Sequence, residues 1–132
     1  MSYHFEFDSL NHLLLVVAYG RVDDSEFQEL YFVIRKRKDE DHALTGILDL
    51  TGVTDFDVRS ETIRGLVNLP PIFPDPTLRA IVAPTDALFG LMRMFHSRGA
   101  DTREQLHIVR NLNEALLLFG VLSPQFQRTE TA

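Results

Sequence analysis

The sequence predicts a single α/β domain built on a mostly parallel sheet. Stretches with strand periodicity alternate with stretches of helical periodicity along most of the chain. Two strands come first with only a turn between them, which makes the opening an antiparallel hairpin. A length of 132 residues also suits one core of ordinary domain size and leaves no room for two. The expected order is hairpin, helix, then three strand–helix units, giving a five-stranded sheet. The domain is expected to fill residues 1–123, with 124–132 as a polar C-terminal tail.

Tyr3, Phe5 and Phe7 alternate with His4 and Glu6, the pattern of a half-buried strand. Asp8-Ser9-Leu10-Asn11 supplies turn chemistry. Leu13 to Tyr19 is continuously apolar, as for a strand covered on both faces, and Gly20 is expected to end it. Asp23 to Lys38 is the clearest helix: Phe27, Leu30, Tyr31 and Ile34 make one apolar stripe. Asp23 and Glu26 have capping-box spacing at its start. Its last turn, Arg35 to Lys38, is cationic, but Asp39, Glu40 and Asp41 follow and offset the field, so it reads as a solvated helix end rather than a phosphate site.

Thr45 to Leu50 is the third strand, with Gly46 at its edge, and Thr51 to Asp57 reads as a polar loop. Ser60 to Leu69 is a second helix around Ile63, Leu66 and Val67. Pro70 to Pro76 holds four of the six prolines, so it is an extended connector. Leu78 to Ala83 is the fourth strand. Asp86 is placed to cap a third helix that runs to about Arg98 and stops at Gly99. Leu106 to Val109 is a short fifth strand. Asn111 or Asn113 caps the last helix, which Gly120 ends.

Composition narrows function mainly by exclusion. Hydrophobic residues make up 45% and charged residues 24% of the chain, as in ordinary globular domains. The absence of cysteine excludes disulfides, thiolate metal sites and cysteine nucleophiles. A formal charge of −6 argues against a nucleic-acid partner. The N-terminus lacks a secretory pattern, and no apolar run approaches the ~20 residues of a spanning helix, so a cytoplasmic location is expected.

Local enzyme signatures are missing: no glycine-rich phosphate loop, no nucleophile elbow and no zinc-binding His-Glu-x-x-His. His4, His12, His42, His96 and His107 never fall at the spacing of a local metal pair, although His4 and His12 could face each other across the hairpin. No metal, cofactor or catalytic residue is expected. Asp49, Asp55, Asp57 and Asp86 lie near the carboxyl ends of strands, where open α/β sheets bind ligands. The simpler account is N-capping, by Asp55 or Asp57 for the second helix and by Asp86 for the third.

The third helix is broader in its apolar face than a surface helix requires. At 100° per residue, Met94, Ala87, Leu91, Phe95, Leu88, Met92 and Phe89 span roughly 220°. His96 and Arg98 interrupt that arc. Such a helix is buried against sheet and neighbour together, or it borders an apolar ligand pocket, or it offers a self-association face of adaptable Met and Phe side chains.

The hairpin, first helix and the segment Ile47-Leu48-Asp49-Leu50-Thr51-Gly52-Val53-Thr54 resemble the SpoIIAA-like superfamily. That superfamily includes the STAS domains of anti-sigma-factor antagonists and, more distantly, a class of lipid carriers. Arg79-Ala80-Ile81-Val82-Ala83-Pro84 through Phe89-Gly90-Leu91-Met92-Arg93-Met94-Phe95, followed by Asn113-Glu114-Ala115, is similar to a small bacterial STAS-like branch. The resemblance covers about residues 3–121. It implies a curved sheet with helices mainly along one face. In the antagonists a helix beginning Asp-Ser-Ser-Gly carries a phosphorylated serine. That motif falls here on Asp57-Val58-Arg59-Ser60, where only the aspartate matches and both serines are replaced.

The expected function is therefore a non-enzymatic STAS-like module binding a small apolar or amphipathic ligand. Its expected site is a strip of Phe73, Phe89, Met92, Arg93 and His96, with Arg93 pairing a ligand carboxylate or phosphate. The alternative is a regulatory protein-interaction module acting through Asp55 to Ile63, with Asp55, Asp57 and Ser60 in its partner loop. A homodimer is a further possible assembly.

Overall fold

The computed structural model describes residues 1–73, 77–98 and 105–131, with side chains for 1–73, 77–94 and 105–128. The fold is α/β, a six-stranded mixed sheet with four helices. In chain order the elements are β1 (Ser2–Asp8), β2 (Leu13–Asp23), α1 (Asp24–Asp41), β3 (Thr45–Asp57), α2 (Ser60–Val67), β4 (Arg79–Val82), α3 (Asp86–Arg98), β5 (Leu106–Val109), α4 (Leu112–Phe119) and β6 (Gln127–Thr131). The strand order is β5-β4-β3-β2-β1-β6. Strands β2 to β5 run parallel, while β1 is antiparallel to both β2 and β6. Among the described residues no helix is long and apolar enough to cross a membrane.

The alternating sides of β2 explain its continuous apolar run. Leu14 and Val16 enter the core shared with α1, α2 and α3, whereas Leu13 and Leu15 enter the core under α4. A strand covered on both faces has no position left for a polar side chain.

The capping box of α1 forms as its spacing predicts. Glu26 N donates to Asp23 Oδ1 at 2.9 Å, and Asp23 N donates to Glu26 Oε1 at 3.1 Å. Replacing Asp23 by alanine should therefore lower the urea midpoint at unchanged m-value. The helix runs past Lys38 to Asp41. Lys36–Glu40 and Arg37–Asp41 are spaced i,i+4 at 3.8 and 3.9 Å, so the acidic residues extend the helix as well as offsetting its charge.

Four expectations need correction. The segment 51–57 is strand, not loop. β2 continues beyond Gly20 to Asp23, and β3 pairs with it as far as Asp23↔Asp57 through two register shifts. Gly20 adopts φ +83° at the second shift, so it bends the strand rather than ending it. Arg21 reaches Asp57 at 2.5 Å and Asp55 at 3.4 Å across this ribbon. Its residues are polar because most of them are solvent-exposed, and that polarity hid the strand.

The helix starts differ as well. Neither Asp55 nor Asp57 caps α2; the N-cap residue is Arg59, which makes no side-chain cap bond. Asp24 of α1 supplies the carboxylate instead, accepting from Arg59 N at 2.8 Å and Thr62 Oγ1 at 2.7 Å. Those bonds, Arg59 N first, hold its carboxyl below the ordinary aspartate range although burial opposes them. At α3, Leu88 N donates to Thr85 Oγ1 at 3.2 Å, so Thr85 holds the capping place and Asp86 pairs with Arg110 at 2.8 Å. Of the two candidate caps of α4, Asn111 holds the place, accepting from Glu114 N at 2.9 Å, with Gly120 left-handed at the helix end.

The third correction is the C-terminal tail. Residues 127–131 form a sixth strand on the outer edge of β1. Arg128 lies opposite Glu6, and its Nη2 meets His4 Nδ1 at 2.5 Å. A guanidinium can only donate, so Nδ1 accepts and the ring proton sits on Nε2, 2.7 Å from Glu6 Oε2. Gln127 and Arg128, adjacent in the strand, are both exposed, as suits polar residues of an edge strand.

The fourth concerns the hairpin: His4 pairs with Val17, while His12 sits in the turn with φ +51°, so the two histidines are not cross-strand neighbours.

Candidate functional site

Three helices lie over one face of the sheet, and their lengths leave a gap. α1 packs on β2 and α3 packs on β5. Between them α2 has only eight residues and touches both neighbours. It stops at Val67 because Pro70 disfavours helix just ahead of it. The connector that follows covers the remaining space with Pro71, Ile72 and Phe73.

Under this roof is a cavity of about 130 Å³. Leu14, Val16, Gly46 and Ile81 contribute to its floor on the sheet, while Leu30, Ile34, Leu66 and Met92 descend from the helices. Gly46 helps create the space. A Cβ there would lie 2.7 Å from Phe73 Cε2 and 2.9 Å from Cζ, so the Phe73 ring occupies the slot that a side chain would fill. Tyr31 and Arg79 bring polar groups to an otherwise apolar lining. The Tyr31 hydroxyl donates to Pro70 O, and Arg79 Nη1 donates to Thr77 O at 2.9 Å.

Of the strip expected from sequence, Phe73 and Met92 meet at this cavity, both buried. Phe89 and Arg93 do not line it. Phe89 is half-buried, its ring centroid 4.0 Å from the Arg110 guanidinium and 5.8 Å from that of Arg93, which is exposed. The His96 side chain lies outside the described residues, as does that of Phe95. The wide apolar arc of α3 is thus divided: Leu88 and Met92 are core, while Phe89, Leu91 and Met94 are half-buried beside it.

Sequence reasoning missed the contribution of α1 and of Gly46. The stripe Phe27-Leu30-Tyr31-Ile34, apolar by its spacing, is buried in the core and also roofs the cavity. A glycine within a strand pattern, followed by a proline-rich connector carrying one aromatic residue, is the signal that could have found the slot.

The carboxylates do not gather. Asp49 is buried and accepts from Thr51 N at 2.9 Å and Thr51 Oγ1 at 2.5 Å, an Asx-type local closure. Asp57 is bound to Arg21 and Asp86 to Arg110. Among the described residues no three histidine, aspartate or glutamate side chains are grouped to hold a metal ion. Asp55, Asp57 and Ser60 are exposed where the β2–β3 ribbon passes into α2.

Compared with known proteins, the chain matches no protein-family model and none of the curated sequences.

Proposed function

We propose that this protein is a non-enzymatic STAS-like module that holds a small apolar or amphipathic ligand in the cavity between its sheet and helices α1, α2 and α3. The observation that carries the reading is the apolar cavity itself, at which Phe73 and Met92 come together from separate elements. Packed interiors contain few voids larger than a water molecule. An empty apolar space is unfavourable because its lining loses dispersion contacts, and an apolar ligand restores them. The SpoIIAA-type assignment is supported by the hairpin, the single helix and the strand–helix units that follow.

Benzene and 1-hexanol are suitable probes, followed by isothermal titration calorimetry and by the Met92 methyl resonance. Both should bind and shift that resonance. Val16 is buried on the cavity floor, and side chains on a strand stand perpendicular to the sheet. Val16→Phe should therefore fill the space and abolish binding of both probes while keeping a cooperative thermal transition. Unchanged binding in that variant would refute the assignment of the site.

The alternative, a regulatory protein partner at Asp55 to Ile63, is supported by the exposed ribbon end that carries Asp55, Asp57 and Ser60. It predicts a co-purifying protein lost on Asp55→Ala/Asp57→Ala and retained in Val16→Phe.

A further inference from the structure

We propose that the ligand is a straight-chain monocarboxylate of about six carbons, with its tail in the cavity against Phe73 and its carboxylate on Lys38. This inference rests on the cavity reading above and adds the ligand's charge, its length and the residues that select them.

Length follows from volume. A dry cavity of roughly 150 Å³ accommodates one benzene ring, and 130 Å³ is slightly smaller, so about six carbons fit. Phe73 limits the chain from one side. Its ring is pressed onto Gly46, and it is carried by the connector rather than by a helix or strand.

Charge follows from where a polar group can leave the cavity. Sheet and helices close the floor and roof, where the polar groups of the lining are already engaged, Tyr31 with Pro70 O and Arg79 with Thr77 O, so a polar end there would lose hydration. The connector side is different, because Pro71 and Ile72 are only half-buried. Lys38 stands at that place. Its Nζ donates to Ile72 O at 3.0 Å and lies 5.7 Å from the Phe73 ring centroid. Among the described residues its nearest carboxylate is Asp39 at 3.5 Å, itself largely exposed. An ammonium has three donors, so Lys38 can keep the connector carbonyl and accept a ligand carboxylate. Arg35 lies on the same side, with Nη1 3.4 Å from the Tyr31 hydroxyl that holds Pro70 O. Lys38 and Arg35 thus bring two cations to the connector side of the cavity, with Asp39 beside Lys38, in a chain whose formal charge is −6.

Calorimetry with hexanoate, 1-hexanol and decanoate tests this on the full chain. Hexanoate should bind about tenfold more tightly than 1-hexanol, the increment expected of one charge-assisted hydrogen bond, and decanoate should bind poorly. Lys38→Met should bring hexanoate down to the level at which the same variant binds 1-hexanol. Phe73→Ala should admit decanoate. Added salt should weaken hexanoate binding to the unmodified protein and spare 1-hexanol, a readout that holds even if a variant fails to fold. Equal or stronger binding of 1-hexanol, or a hexanoate preference that survives Lys38→Met, overturns the carboxylate assignment and leaves the apolar site standing. If neither compound binds, the cavity reading fails as well.

Discussion

Asp8→Ala should lower the unfolding free energy by about 3 kcal/mol at neutral pH. Asp8 is 1% exposed and lies where β1 meets the hairpin turn. Its Oδ1 accepts from Leu10 N at 3.1 Å and Asn11 N at 3.2 Å, and its Oδ2 accepts from Asn11 Nδ2 at 2.7 Å and Gln125 N at 3.3 Å. One carboxylate therefore fixes the turn and ties it to the segment leading into β6. Truncation leaves several donors without their acceptor, and that costs more than the bonds themselves contribute. Burial pushes the Asp8 carboxyl up, but the bonds from Asn11, Gln125 and Leu10 outweigh it and hold the group below its ordinary value. With the folded value depressed, the unfolded chain binds more protons as the solution is acidified. The stabilisation is then complete above the unfolded carboxyl value of about 3.9 and disappears as pH falls through the folded value. Urea titrations should show a constant gap between the natural protein and Asp8→Ala above about pH 5, narrowing below about pH 4. A gap of the same size at pH 3 would mean that the carboxylate charge is not what holds the turn.

The same residue shows how far the sequence could be read. Asp8-Ser9-Leu10-Asn11 has turn composition, and the turn is present, because its acceptors and donors lie within three residues of one another. The bond to Gln125 joins residues 117 positions apart, and no local pattern announces it. A general rule follows from such pairs. Features set by neighbours along the chain were legible: the hairpin, the α1 capping box, the Asn111 cap and the alternation that yields an α/β sheet. Features set by a distant partner were not. Residues 51–57 are strand because β2 is long enough to pair with them, and β6 exists because β1 has an open edge beside His4 and Glu6. α2 is capped by Asp24, a residue 35 positions before Arg59. At the cavity, the legible part was the surplus apolar character of α3, which led to Met92. The illegible part was a void, since a space is made by what several elements leave unfilled. Gly46, the short α2 and the connector each contribute an absence.

Met92→Ala should cost about 3 kcal/mol and lower the melting temperature by about 10 °C. Met92 is 0% exposed and already borders the cavity, so truncation merges a new void with the existing one instead of creating an isolated hole. That geometry predicts a recovery that an ordinary core truncation lacks. A ligand that binds only the folded state stabilises it by about 2.7 kcal/mol at one hundred times its dissociation constant. 1-Octanol, longer than the unmodified cavity allows, should therefore restore most of the lost stability in Met92→Ala. Leu13→Ala provides the control. Leu13 is equally buried but faces the α4 side of the sheet, so its truncation should be comparably destabilising and should gain nothing specific from the alcohol. Differential scanning calorimetry of both variants, with and without 1-octanol, separates the cases. Equal recovery in the two would indicate a general solvent effect. Recovery in Met92→Ala alone ties the ligand to α3, because only there does the void opened by the missing side chain join a space that the helices and connector had left.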